Sequence, residues 1–343
     1  MNFLAPFAAL TPAPFETIWR SPSNIAFVKY WGKKGHQLPA NPSLSMTLRH
    51  CYTETRVRFE PREASEGPAV ELFLDGGRQE KFAAKIAGYL RSLEALPWLA
   101  DVRVTVDTRN TFPHGTGIAS SASGLSAFAL GLSDYLFHLS GVKVDFFKTA
   151  SFLARLASGS ACRSVYGGFV SWGEESDLYA SPVDVHSSLA HLRDSVLVVS
   201  GEEKAVSSTA GHGRMSDHVF SEARFAQARA NYARTRAALA AGDLATVGVV
   251  LESEALALHA MMLTAPAPFT LLKPNTLAAI EMIWAFRRET QLPLFFTLDA
   301  GPNLHLIYPE VSQHKVRTFI AHELSPLAQT VINDECGEGP VKC

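Results

Sequence analysis

Residues 113–124 read Pro-His-Gly-Thr-Gly-Ile-Ala-Ser-Ser-Ala-Ser-Gly. Two glycines and a run of small residues lead into a long apolar stretch, which reads as a helix over about 120–139. So bare a backbone lets several N–H groups approach an anion, and a helix start adds about half a positive charge. Gly115 and Gly117 supply the close approach. Ser120, Ser121 and Ser123 add hydroxyl donors, with Ser121 a candidate Mg²⁺ ligand. In physical terms the segment is a phosphate cradle. It also reads as a glycine-rich turn with serine caps on the helix. No Gly-Lys-Ser/Thr closes it, so it is not a Walker A loop, and without Gly-x-Ser-x-Gly it is not a nucleophile elbow.

Working outward, strand patterns lie at 24–30, 45–59, 69–74 and 102–106, with a helix over 79–93. A helix over 145–157 and a strand over 168–172 follow the cradle helix. The second half opens with a buried-strand pattern at 195–200. Helical patterns then run over 216–240, 244–263 and 276–289. Two paired strands, 294–298 and 304–308, flank a tight Asp-Ala-Gly-Pro-Asn turn. Strands and helices mix without strict βαβ alternation, which predicts an α+β protein with helices on one face of antiparallel or mixed sheets. The division expected is a flexible lead over residues 1–18, an N-terminal domain over 19–190 and a C-terminal domain over 191–343.

The chain has 343 residues, 47% apolar and 19% charged, enough for a full core and too little charge for a disordered chain. Lys and Arg number 31 against 33 Asp and Glu, so the net charge of −2 lacks the footprint of a general nucleic-acid binder. Cys51, Cys162, Cys336 and Cys343 form no Cys-x-x-Cys pair, which argues against a zinc ribbon and for a reduced, cytoplasmic protein. The first 20 residues have no basic start and are broken by Pro6, Pro12 and Pro14, so no signal peptide is read. Residues 117–137 carry several serines and Asp134, and read as a buried helix, not a membrane span.

Four further segments could carry chemistry. In Asn24-Ile-Ala-Phe-Val-Lys-Tyr-Trp-Gly-Lys33, an apolar strand ends in Lys29, Tyr30 and Lys33. Two ammonium groups and a phenol suit a polyphosphate, although the spacing equally describes a solvated edge with an aromatic anchor. Ala157-Ser-Gly-Ser-Ala-Cys-Arg-Ser164 offers the Ser158 and Ser160 hydroxyls and the Arg163 fork for a carboxylate or phosphate; Gly159 also reads as a helix C-cap. Asp299, at a strand end, is placed to orient or deprotonate a hydroxyl, or to start a hairpin turn. Lys204, Ser207, Ser208 and Thr209 form a weaker anion-binding string. Arg224, Arg229, Arg234 and Arg236 read as a solvated helix face. The 12 histidines show no ligand-spaced pair, so no transition-metal site is expected.

Taken in order, the segments at 21–33, 113–124, 158–168 and 299–303 resemble the diphosphomevalonate decarboxylase family, in the superfamily of galactokinase, homoserine kinase, mevalonate kinase and phosphomevalonate kinase (GHMP). The resemblance spans about residues 20–310. It implies a two-domain GHMP-kinase fold: an N-terminal domain like domain 2 of ribosomal protein S5, a ferredoxin-like C-terminal domain and a cleft between them. It implies ATP and Mg²⁺ as cofactors, diphosphomevalonate as small-molecule substrate, a homodimer, and no nucleic-acid or membrane partner. Asp299 matches the family's catalytic aspartate, Arg163 its carboxylate clamp, and Lys29 a source of charge near the transferred phosphate. Tyr30, Lys33, Ser158 and Ser160 match diphosphate contacts, and Thr209 a further substrate contact. Gly115, Gly117, Ser120, Ser121 and Ser123 match the ATP-phosphate loop, and Asn110 a contact to the base. His114-Gly-Thr-Gly stands for Thr-Ala-Ala-Gly, Lys34-Gly35 for Arg-Asp, and His212 for a Met. No arginine aligns with the one before the family's first long helix; Lys81 and Lys85 are the cations available. The alternatives are a kinase or decarboxylase acting on mevalonate or phosphomevalonate, and a silent metabolite binder.

Overall fold

The computed structural model describes residues 3–63, 67–113, 118–142, 145–202, 206 and 208–343, with the backbone alone at 208 and 209. The first sheet is built on a long antiparallel pair, β1 (Phe15–Val28) and β4 (Ser43–Pro61), with a small β2 (Lys33–Gly35) and β3 (Leu38–Pro39) hairpin between them. β4 also pairs with β7 (Val102–Asn110), which takes β5 (Ala69–Leu74) in parallel; β6 (Gly77–Arg78) closes that edge. β8 (Phe169–Trp172) pairs with the other end of β4 and with β9 (Ser181–Val183).

α2 (Ser120–Ser140) crosses β1 and β4 with α3 (Phe146–Ala157) beside it, and α1 (Glu80–Arg91) packs on β5. The pattern of β4 shows why. From Cys51 to Phe59 burial alternates, one side facing the helices, and Phe59 stacks on Tyr135 of α2 at 4.2 Å. From Ser43 to Leu48 every residue is buried, because the C-terminal half covers the second face.

The second sheet is antiparallel, ordered β11 (Phe295–Thr297), β12 (Leu304–Tyr308), β10 (Arg193–Val198) and β13 (Thr330–Glu335). The short α4 (Ser208–Gly213) precedes the hairpin of α5 (Ser221–Ala241) and α6 (Leu244–Leu263); α7 (Pro274–Thr290) and α8 (Gln313–Phe319) follow. β14 (Val341–Lys342) returns to the edge of β1. Among the described residues α6 alone is long and apolar enough to cross a membrane, yet 56% of its apolar window is buried in the fold. The Asp334 carboxylate ties the halves together, accepting the N–H groups of Arg49, His50 and Cys51 of β4. Mixed helices and mainly antiparallel sheets make this an α+β protein.

Two expectations need correction. The lead expected over 1–18 is packed from residue 3: β1 begins at Phe15, Leu4 and Phe7 are buried, and Trp98 Nε1 donates to the Phe7 carbonyl at 2.8 Å. Arg224 is not on a solvated face; it is 3% exposed and ion-paired to Glu254 of α6.

Candidate active site

β1 shifts register between Ala26 and Val28, and the strand ends there. A bulge of this kind re-aims the residues that follow it. Lys29, next in the chain, turns inward and is 1% exposed. Its Nζ donates to the Ala26 carbonyl at 2.6 Å and to Asp299 Oδ1 at 2.9 Å. Burial lowers the Lys29 pKa, and the Asp299 carboxylate opposes that shift. Asp299 follows β11 and keeps 28% side-chain exposure, with Lys29 holding its Oδ1. The strand stops at Val28, so Lys29 lies just beyond it and Lys33 opens β2.

α6 fixes both partners. Its Glu254, 0% exposed, accepts the Lys29 backbone N–H at 2.9 Å and bonds to Arg224 and to Asn231 Nδ2. One turn further, His259 Nε2 lies 3.1 Å from the Asp299 carbonyl oxygen. Replacing Glu254 with Gln removes the counter-ion of a buried arginine. The expected loss is about 3–5 kcal/mol of unfolding free energy, read by urea denaturation, with a lower rate in the folded fraction. An unchanged midpoint would remove Glu254 from this role.

Arg163 lies in a tight turn after α3 and is 2% exposed. Its Nη1 donates to Ser43 Oγ at 2.7 Å, Nε to Ser45 Oγ at 3.0 Å, and Nη2 to Asn24 Oδ1 at 3.4 Å. All three acceptors are neutral, and no carboxylate among the described residues forms an ion pair with it. Burial lowers its pKa, while the neighbouring Cys162 and the Asp299 carboxylate act the other way. A guanidinium out of water without a counter-ion is costly, and an incoming anion relieves that cost.

Tyr30 adds a second unmatched group: its hydroxyl is buried with no hydrogen-bond partner among the described residues. Burial raises its pKa, so it is a neutral O–H donor. Gly159 is not the helix cap expected. The C-cap of α3 is Ser158, in an extended conformation, and Gly159 makes room for the rings of Tyr30 and Trp172. A Cβ there would lie 2.8 Å from Tyr30 Oη and 2.8 Å from Trp172. Ser158 and Ser160 flank this contact, both half-exposed. Gly159→Ala is therefore expected to displace Tyr30 and raise the substrate KM about tenfold, with about 1–3 kcal/mol lost in stability. Steady-state kinetics check it; an unchanged KM would detach Tyr30 from substrate binding.

A second cleft opens between α1 and the start of α2. Leu72, Leu74, Phe82, Ile86, Val106 and Phe128 form its apolar wall; Asn110, Ser120, Ser121 and Lys85 stand at its polar side. Ala119 before α2 is left-handed at φ 51° and provides no side-chain cap, so the serine-capping alternative does not describe this helix start. Ser121 is exposed and Ser120 half-exposed. Ser123 departs from expectation: it is 0% exposed, 2.7 Å from the Thr53 hydroxyl, and does not face the cleft. Asn110 Oδ1 accepts from that threonine at 2.7 Å. Gly115 and Gly117, Lys204, Ser207 and the side chains of Ser208 and Thr209 lie outside the described residues.

One electrostatic neighbourhood connects these groups. Lys85 acts on Lys33, Lys33 on His212, and Arg163 on both Tyr30 and Lys29. Glu254 and His259 escaped the sequence reading, since nothing in an apolar helix marks which polar residue supports a distant loop. The arrangement provides an apolar slot beside a helix start, a band of cations, and a carboxylate at its end. That suits phosphoryl transfer between two anionic ligands.

Comparison with known proteins bears on this arrangement. A family model described as the diphosphomevalonate decarboxylase-like N-terminal domain matches residues 21–184, and one described as the mevalonate 5-diphosphate decarboxylase C-terminal domain matches 195–339. The diphosphomevalonate decarboxylase mvd1 of Aspergillus fumigatus is 32% identical over 95% of this chain and 84% of its own length. The human diphosphomevalonate decarboxylase is 32% identical over 82% and 74%. A solved structure of MDDEF in complex with MVAPP, AMPPCP and magnesium superposes with TM-score 0.84 at 30% identity, covering 96% of this chain and 99% of that one. Mevalonate diphosphate decarboxylase from Staphylococcus aureus gives TM-score 0.84 at 28% identity, covering 96% and 98%.

Proposed function

Because the chain belongs to the diphosphomevalonate decarboxylase family, we infer that it uses ATP to decarboxylate diphosphomevalonate to isopentenyl diphosphate, a step of the mevalonate pathway. Its architecture is the GHMP-kinase fold of that family. The observation that carries the chemistry is the Lys29–Asp299 pair beside a buried arginine with neutral partners only.

The apolar cleft between α1 and α2 fits an adenine, and the uncapped start of α2 with Ser120 and Ser121 fits the phosphates that follow it. Ser121 and the phosphates offer the hard oxygen ligands that Mg²⁺ prefers. Bound there, the ion neutralises phosphate charge. Asp299, held by Lys29, orients the substrate's C3 hydroxyl and accepts its proton. The C3 oxygen then takes the γ-phosphoryl group and ADP leaves. Lys29 supplies positive charge where the phosphate develops. The C3–O bond next breaks with its electrons on phosphate. The bond to the carboxylate breaks in turn, its electron pair forms the C=C bond, and CO₂ departs. Arg163 is the clamp that holds the carboxylate in line; Tyr30, Lys33, Ser158, Ser160 and Thr209 are proposed to take the diphosphate.

A kinase of the same fold has no need of a buried guanidinium for a carboxylate, so Arg163 weighs against it. Decarboxylation of the monophosphate is the nearer rival. Turnover with diphosphomevalonate, phosphomevalonate and mevalonate in parallel separates them. The diphosphate is expected to give at least about a hundredfold higher kcat/KM, the worth of two lost charge-assisted contacts. Equal values would contradict the assignment. The proposal also includes a cytoplasmic homodimer; a monomer mass by light scattering would remove the second part.

A further inference from the structure

His212 sits on α4 between Tyr30 and Trp31, its ring centre 4.4 Å from the first ring and 4.7 Å from the second. Its Nδ1 is 3.0 Å from the backbone nitrogen of Gly32. A backbone N–H can only donate, so Nδ1 must be the acceptor and carries no proton. The neutral ring therefore bears its proton on Nε2. Burial, reinforced by the Lys33 charge, pushes the pKa down to about 3, so the ring keeps this form at ordinary pH. Two glycines make the placement possible. Gly32 has φ +104°, and a Cβ on it would meet Phe225 at 2.7 Å; a Cβ on Gly211 would run into Trp31.

Lys33, whose charge reaches the ring, forms no ion pair among the described residues, and the Tyr30 hydroxyl has no partner there. The Nε2–H of His212 has no hydrogen-bond acceptor among them either. The Tyr30 and His212 rings are in contact and the Lys33 charge reaches the second, so three donors without an acceptor among the described residues belong to one neighbourhood. We propose that the Nε2–H of His212 donates to the substrate's diphosphate, adding a further binding group beside Tyr30 and Lys33. This rests on the function proposed above. It gives the chain a neutral donor that a methionine at this position cannot supply.

The variants separate the two nitrogens. His212→Asn keeps an acceptor for the Gly32 N–H and loses the outer donor. His212→Gln restores an N–H near the Nε2 position. His212→Met removes both. With ATP saturating, Asn and Met are expected to raise the KM for diphosphomevalonate and the inhibition constant of inorganic pyrophosphate about tenfold, with kcat within about twofold. Gln is expected to recover most of that loss. A purely structural role would instead lower the thermal midpoint and leave the pyrophosphate constant unmoved. The proposal is overturned if Asn and Met bind pyrophosphate as the parent does, or if Gln fails to recover what Asn loses in proteins with parental midpoints. Failure of the parent enzyme to turn over diphosphomevalonate would instead strike the function itself.

Discussion

Asp299→Asn is expected to lower turnover at least about 10³-fold while nucleotide affinity stays within about twofold. Asn can accept a hydrogen bond from Lys29 but cannot take the C3 hydroxyl proton. The cleft proposed for the nucleotide, lined by α1, α2 and β7, does not include this residue. The same change strips Lys29, 1% exposed, of its counter-charge. Unfolding free energy should therefore fall by about 3 kcal/mol, the scale for breaking a buried pair. Adding Lys29→Met should recover stability without recovering activity, since the unpaired ammonium is then gone. Retained turnover in the single variant would remove Asp299 from its role.

Arg163→Met should cost about 10²–10³-fold in turnover, comparable to losing a preorganised charge-bearing donor. Its effect on folding should be much smaller. Three hydrogen bonds to Ser43, Ser45 and Asn24 are lost, but so is a desolvated cation with no counter-ion. Thermal stabilisation by added substrate should shrink in proportion to lost affinity. A large loss of midpoint with near-parental turnover would make Arg163 a structural residue.

Much of this site was legible in the chain. Lys29, Tyr30, Arg163 and Asp299 stand out as short motifs in a fixed order, and β4, α2, α3 and α6 follow from their apolar periodicity. The order suggested a family; tertiary contact brings Lys29 to Asp299 across 270 residues. β1 begins at Phe15, well ahead of the strand pattern at 24–30, and runs through the polar side chains of Ser21, Ser23 and Asn24. These polar side chains are buried because each has a distant partner: Ser21 bonds Ser126, Ser23 the Ile118 carbonyl, and Asn24 Ser164. Arg224 was misread for the same reason, its counter-ion lying 30 residues further on. The hydroxyl of Ser123 was misassigned because helical phase, not composition, turns it to Thr53. Local pattern records which residues prefer burial; it does not record which polar group waits across the fold.

The central claim is that phosphoryl transfer and carbon–carbon cleavage occur together in this site. The direct measurement is the ratio of ADP to CO₂ released by the purified protein with ATP, Mg²⁺ and diphosphomevalonate. The account predicts one CO₂ for each ADP. ADP without CO₂ would make the protein a kinase and leave Arg163 unexplained, and release of neither would make it a silent binder.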